Sequence, residues 1–164
     1  MDTPPIPELE RLKDRHPDKF LPEDRVFSHV RRGDRIFIGT ACGEPQHLVH
    51  ALTNWVRVNP KALFDAEIVQ VWTLGVAPYT DEKLKYNFRH NSFFLGNTTR
   101  GAVNAGLADY TPIFLSQVPD LFNRGIPCDL FFHAGGQGIV NGGYRPACRY
   151  EFPAPAKQPG RHQA

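Results

Sequence analysis

Apolar residues in this chain fall in two spacings, near-continuous runs and three-to-four-residue stripes, and the two alternate. The run "RIFIGTA" at 35–41 has the pattern of a buried strand. Pro45 then opens a stretch in which Leu48, Val49, Leu52 and Val56 recur at helical spacing, which predicts a helix with an inward stripe. "AEIVQVWTL" at 66–74 and "NSFFLG" at 91–96 predict two further strands. The intervening helix implies that they pair in parallel, because a parallel pair needs a long crossover.

Shorter signals complete the alternation. Pro22 begins a run in which Val26, Phe27 and Val30 share a helical face, and Gly33 is placed to close it as a C-terminal cap. Asn97, Thr98 or Thr99 can cap a helix over "NTTRGAVNAGL". "YTPIFLS" reads as a fourth strand, and "QVPDLFNRG" as a helix with Pro119 near its start. Strand and helix in this order predict an α/β fold: an open, mostly parallel sheet with helices on both faces. Residues 1–20 are proline-rich and charged and predict an N-terminal arm, 21–125 the α/β domain, and 126–164 a Gly/Pro-rich tail of different character.

At 164 residues, 41% of them hydrophobic and 22% charged, the chain has the length of one domain and the composition of a globular one. No apolar run reaches the roughly 20 residues of a membrane span, and the first residues lack a signal peptide's apolar stretch. A cytoplasmic protein is expected. The net charge is +2, with fifteen Lys/Arg against fifteen Asp/Glu in residues 1–125 and four against two thereafter. That distribution gives no clustered basic face for nucleic acid. Cys42, Cys128 and Cys148 have neither zinc spacing nor an even count for disulfides, so they read as buried or free thiols.

Open parallel sheets bind ligands beyond the carboxyl ends of their strands. The turn "GTACGEPQ" is expected at that edge, which makes Gly39, Thr40, Gly43 and Glu44, with Pro45 and Gln46 at the helix start, candidate substrate-binding residues. Glycines allow close backbone approach, and a helix N-terminus favours an anion or a developing oxyanion. The same residues serve equally well to shape a turn, with Glu44 on the helix dipole. Gly96 and Asn97 end a strand at the same edge and form a second candidate segment. Arg89 and Arg100 beside it can pair with a carboxylate or phosphate. His47 reads as a solvated helix-surface residue.

Taken together, "HVRRGDRIFIGTACGEPQHLVHAL", "VWTLGVAPY" and "FRHNSFFLGNTTRGAVNAGLADYTPIFLSQVPDLF" resemble the amino-terminal half of the acetyl-CoA hydrolase/transferase family, which includes 4-hydroxybutyrate and acetate CoA-transferases. The resemblance covers roughly residues 20–125, and Gly39, Gly43 and Pro45 match the Gly-three-residues-Gly-x-Pro turn of CoA-transferases. It implies an acyl-CoA and a small carboxylate as substrates, with coenzyme A as substrate rather than cofactor. It also implies covalent catalysis in which a glutamate attacks the thioester, giving an acyl-glutamyl anhydride and then a glutamyl-CoA thioester. In the family that glutamate lies in the carboxy-terminal half, so no catalytic residue is expected in this chain. Glu44 occupies the variable place of the turn and reads as a helix-start charge, not the nucleophile. A separate carboxy-terminal polypeptide or a homo-oligomer is the expected partner.

Beyond "DLFNRG" the register of the resemblance is lost, and the abrupt change of composition predicts a shifted or truncated reading frame, which nucleotide sequence across residues 120–135 would test. "HAGGQGIVNGGY" lacks the ending of a phosphate loop. No motif supports metal binding by His133 with Cys128 and Cys148. Two other readings stand beside the transferase half-domain. One is a non-catalytic remnant that binds acyl-CoA; the other is a small α/β enzyme of the sugar-phosphate isomerase kind, cradling phosphate at the helix start.

Overall fold

The computed structural model describes residues 7–124, 128–133, 138–140, 143–145 and 149–151. Five parallel strands form the centre of the molecule. They are β1 (Arg35–Ile38), β2 (Ala66–Trp72), β3 (Phe88–Phe94), β4 (Ala108–Tyr110) and β5 (Leu130–His133). The spatial order is β4-β3-β2-β1-β5, so the chain steps outward from β1 to β4 and then returns to the far side of β1. A reversal of this kind leaves a crevice at the carboxyl ends of the two strands where the winding changes direction. Here those strands are β1 and β5, paired Phe37 to Phe131. A sixth strand, Arg149–Glu151, joins β5 antiparallel, and Gly138–Val140 with Gly143–Arg145 make a separate hairpin.

Burial explains why β2 reads as a continuous apolar run. Every residue from Ala66 to Val71 is buried, because both faces of the sheet are covered. On one face, helices α2 (Glu23–Phe27) and α3 (Gln46–Val58) pack Phe27, Val49, Leu52 and Val56 against Ile36, Ile38, Ile68 and Phe132. On the other, Val69, Val71 and Phe93 meet Val118, Leu121 and Phe122 of the helix Val118–Arg124. The open, mostly parallel sheet with helices on both faces is therefore the architecture found. Among the described residues no helix is long and apolar enough to cross a membrane.

Several element boundaries differ from the sequence expectation. α2 ends at Phe27, and Gly33 does not cap it; with φ +82 it forms the turn into β1, where Arg31 N–H donates to Asp34 Oδ2. Val26, Phe27 and Val30 are nonetheless all buried, so their spacing reported burial and not helix length. β3 starts at Phe88 and carries His90, Asn91 and Ser92 into the interior. The fourth strand is only Ala108–Tyr110, since Pro112 has no N–H for a ladder and Leu115–Gln117 turns as a 3-10 helix. No α-helix joins β2 to β3; two 3-10 turns, Pro78–Thr80 and Glu82–Leu84, make the crossover and bury Tyr79 and Leu84. Within the stretch expected to be an arm, Pro7–Arg15 is helical.

Candidate functional site

Three turns meet at the carboxyl edge of the sheet: 39–45 after β1, 73–77 after β2 and 95–98 after β3. The first continues β1 by side-chain bonding. The Gly39 N–H donates to the Phe132 carbonyl at 2.7 Å, and the Thr40 hydroxyl both donates to the Trp72 carbonyl at 2.5 Å and accepts from its N–H at 2.8 Å. Thr40 thus replaces one rung of the β1–β2 ladder. The left-handed backbone of this turn falls on Ala41, at φ 51, where a small side chain limits the strain. A 3-10 turn at Ala41–Gly43 and Pro45 at the N-cap then start α3.

Glu44 is buried. Its carboxylate accepts from the backbone N–H groups of Gly75, at 2.9 Å, and Val76, at 3.0 Å. The helix-start role expected for it is therefore not the one it plays: two consecutive amides aimed at one carboxylate are the stronger attraction. Gln46 lies over the same peptide. A Cβ on Gly75 would come within 2.6 Å of Gln46 Nε2 and 2.7 Å of Glu44 Oε1, so any larger residue there would displace the ends of these two side chains.

From the other side, the Thr98 hydroxyl donates to the Gly75 carbonyl at 3.2 Å. Thr98 belongs to α4 (Asn97–Asn104), whose N-cap is Gly96 with no side-chain cap bond. None of Asn97, Thr98 and Thr99 caps it: Thr98 is turned to the loop, and the buried Thr99 hydroxyl has no partner among the described residues. Gly96 is required by close approach, because a Cβ there would strike the Thr73 carbonyl and sit 3.2 Å from Trp72 Nε1.

A cleft of about 320 Å³ opens between the second and third turns, lined by Trp72, Thr73, Leu74, Leu95, Gly96, Asn97, Thr98 and Arg100. Of the residues expected from sequence, Gly96 and Asn97 line it. Gly39, Thr40, Gly43, Glu44, Pro45 and Gln46 form the adjoining turn, at the β1–β5 reversal, and Thr40 and Glu44 brace the cleft wall. Arg100 is on the cleft. Arg89 is at the opposite end of β3, paired with Asp65 at 2.7 Å. His47 is exposed and contacts Glu23 at 2.6 Å. Cys148 lies outside the described residues, and burial pushes the Cys128 thiol up to about 12, away from a reactive thiolate.

Beneath the three turns runs a buried polar network that the sequence reading did not single out. Gln70 Nε2 donates to the Gly39 carbonyl at 3.0 Å, while its Oε1 accepts from Thr73 Oγ1 at 2.5 Å and from the Tyr79 hydroxyl at 2.9 Å. The signal was a glutamine in the middle of a strand whose neighbouring positions, Val69 and Val71, are apolar. His90 stacks on Tyr79 with ring centres 5.1 Å apart, and burial holds its pKa down at about 4.

Comparison with known proteins identifies the domain. The acetyl-CoA hydrolase/transferase N-terminal domain matches residues 7–130, taking in the first helix and reaching the start of β5. The chain is 38% identical over 114 residues to a 4-hydroxybutyrate coenzyme A transferase of Clostridium kluyveri, covering 69% of this chain and 26% of that protein. It is 37% identical over 101 residues to a succinyl-CoA:acetate/propanoyl-CoA:succinate CoA transferase of Fasciola hepatica, covering 62% and 20%. The fold is similar to that of RipA from Yersinia pestis, with a TM-score of 0.63, 20% identity and coverage of 74% of this chain and 30% of that one. The chain thus spans about a quarter or less of its curated relatives. It belongs to the acetyl-CoA hydrolase/transferase family, of which it carries the N-terminal domain.

Proposed function

We propose that this chain supplies one wall of the thioester-handling cleft of an acyl-CoA:carboxylate CoA-transferase or acetyl-CoA hydrolase, and that a carboxy-terminal polypeptide carrying the nucleophile completes it, with or without further copies of this chain. The observation that carries this reading is the cleft at the carboxyl edge. Its apolar side, Trp72, Leu74 and Leu95, suits an acyl stem, and Arg100 on its polar side suits a carboxylate or a phosphate of coenzyme A. Coenzyme A is a substrate in this scheme and no further cofactor is invoked.

The nucleophilic glutamate belongs to the other polypeptide. Four glutamate side chains already hold other partners: Glu23 meets His47, Glu44 the Gly75 and Val76 amides, Glu67 Arg35 and Glu82 Lys85. Attack on the thioester by that glutamate releases CoA as thiolate and leaves an acyl-glutamyl anhydride; the thiolate then attacks the glutamyl carbonyl and expels the acyl group as its carboxylate. The incoming carboxylate attacks the resulting glutamyl-CoA thioester, and the thiolate it releases attacks the acyl carbonyl of the new anhydride, giving the new acyl-CoA and the free glutamate. This chain would hold and orient the acyl group and exclude water. In this reading the chain acts on small molecules in the cytoplasm, with neither nucleic acid nor a membrane surface as a partner.

Transfer of CoA from acetyl-CoA to isotopically labelled acetate tests the proposal. We expect no turnover from this chain alone, and turnover once the carboxy-terminal part of a family enzyme is added. Transfer by this chain alone would overturn the assignment of the nucleophile. Acetyl-CoA binding with no turnover even after complementation would favour a non-catalytic acyl-CoA-binding module.

A further inference from the structure

We propose that Glu44 is a positioning residue for the cleft, acting as an internal anion that holds the Gly75–Val76 backbone and so fixes the wall formed by Trp72, Thr73 and Leu74. The inference rests on the cleft's role stated above, but its physical content concerns one peptide unit. The Gly75 N–H is held by Glu44 from the turn after β1, and the Gly75 carbonyl by Thr98 from α4. These two contacts clamp the loop between its neighbours, and no strand partner holds it there, because β2 ends at Trp72.

The chemistry at this point requires a carboxylate. Two consecutive N–H groups converge on it, 2.9 Å and 3.0 Å from its two oxygens. A glutamine offers one acceptor and would turn its own NH₂ toward the second amide. Successive amides of this kind form a concavity that takes anions, and Glu44 fills it from within the chain. Removing the side chain therefore leaves a vacancy of defined chemistry, one that a small carboxylate from solution can occupy.

Full-length protein carrying Trp55→Phe leaves Trp72, on the cleft, as its single tryptophan reporter. In this background Glu44→Ala is expected to speed hydrogen exchange at the Gly75 and Val76 amides about tenfold or more relative to core strands, and to shift Trp72 emission. It is also expected to weaken acetyl-CoA binding about tenfold. Formate, but not chloride at the same ionic strength, is expected to restore amide protection and emission; a residue that merely filled space would show no such rescue. Glu44→Gln is expected to lose protection at one of the two amides. Thr98→Val, which frees the other side of the same peptide, serves as a second variant and is expected to shift Trp72 emission in the same direction.

Unchanged exchange at Gly75 and Val76, or loss of structure everywhere with no response to formate, overturns the proposal. Emission unmoved by both Glu44→Ala and Thr98→Val does the same. If the parent protein complemented with the carboxy-terminal part of a family enzyme binds no acetyl-CoA while the amides and emission respond as expected, the clamp stands and the thioester reading of the cleft fails.

Discussion

Replacing Gln70 by leucine removes the centre of the polar network under the cleft while keeping the side chain's approximate size. Three buried partners lose their bond at once: the Gly39 carbonyl, the Thr73 hydroxyl and the Tyr79 hydroxyl, with Tyr79 2% and Thr73 1% exposed. Each buried group left unsatisfied costs about 1–3 kcal/mol. The Thr73 hydroxyl can rotate toward another acceptor and leucine adds a little apolar burial, so the net loss is roughly 3–5 kcal/mol. Against a total stability of about 5–15 kcal/mol this is a large fraction, and it lowers Tm by about 10 °C. Urea unfolding followed by circular dichroism measures it, with Ile68→Val as an apolar control expected to cost about 1 kcal/mol. Adding Tyr79→Phe to Gln70→Leu removes one stranded group and should return about 1–2 kcal/mol, a coupling that a double-mutant cycle reads directly. A Gln70→Leu loss under about 1 kcal/mol, or strict additivity with Tyr79→Phe, would refute the claim that Gln70 ties the turns after β1 and β2 to each other and to Tyr79.

The buried neutral His90 makes stability fall on acidification: its pKa is about 4 folded against 6.5 unfolded, so the unfolded state binds the extra proton between those values. Stability present above pH 6.5 is lost progressively down to pH 4, by up to about 3 kcal/mol. His90→Leu should flatten the urea midpoint across that window, and an unaltered slope would count against the assignment. Gly96→Ala forces a Cβ against the Thr73 carbonyl and the Trp72 ring and is expected to cost about 1–3 kcal/mol and to shift Trp72 emission. Trp72, Leu74, Phe94, Tyr110, Phe114 and Leu115 are all exposed on or just beyond the carboxyl ends of β2 to β4. Such a concentration of apolar surface predicts self-association of the isolated chain in light scattering, reduced by Leu74→Lys with Phe114→Lys; a monomer at all concentrations would contradict it.

The layering of this protein was legible in its sequence because burial writes itself as period. A strand covered on both faces is apolar at most of its positions, as Ala66 to Val71 is apart from Glu67 and Gln70, and a helix covered on one side carries the stripe of Val49, Leu52 and Val56. The glycines and Pro45 of the first turn located a strand-to-helix joint, and the resemblance carried by the same residues named the family. Short elements were less legible: α2, the β2–β3 crossover and β4 are set by where core contacts and Pro112 fall, and not by any period of their own.

What only the tertiary structure decided is who meets whom at the carboxyl edge. Glu44 and Gly75 are 31 positions apart, Gln70 and Gly39 likewise, and Thr98 lies 23 beyond Gly75. A carboxylate beside a helix start carries the same local signal whether it faces that helix or a neighbouring loop. The choice falls to whichever backbone amides the packed sheet presents within hydrogen-bond reach. Parallel register brings the turns after β1, β2 and β3 to one edge, and that register is a property of the assembled sheet, fixed by contacts no single segment contains.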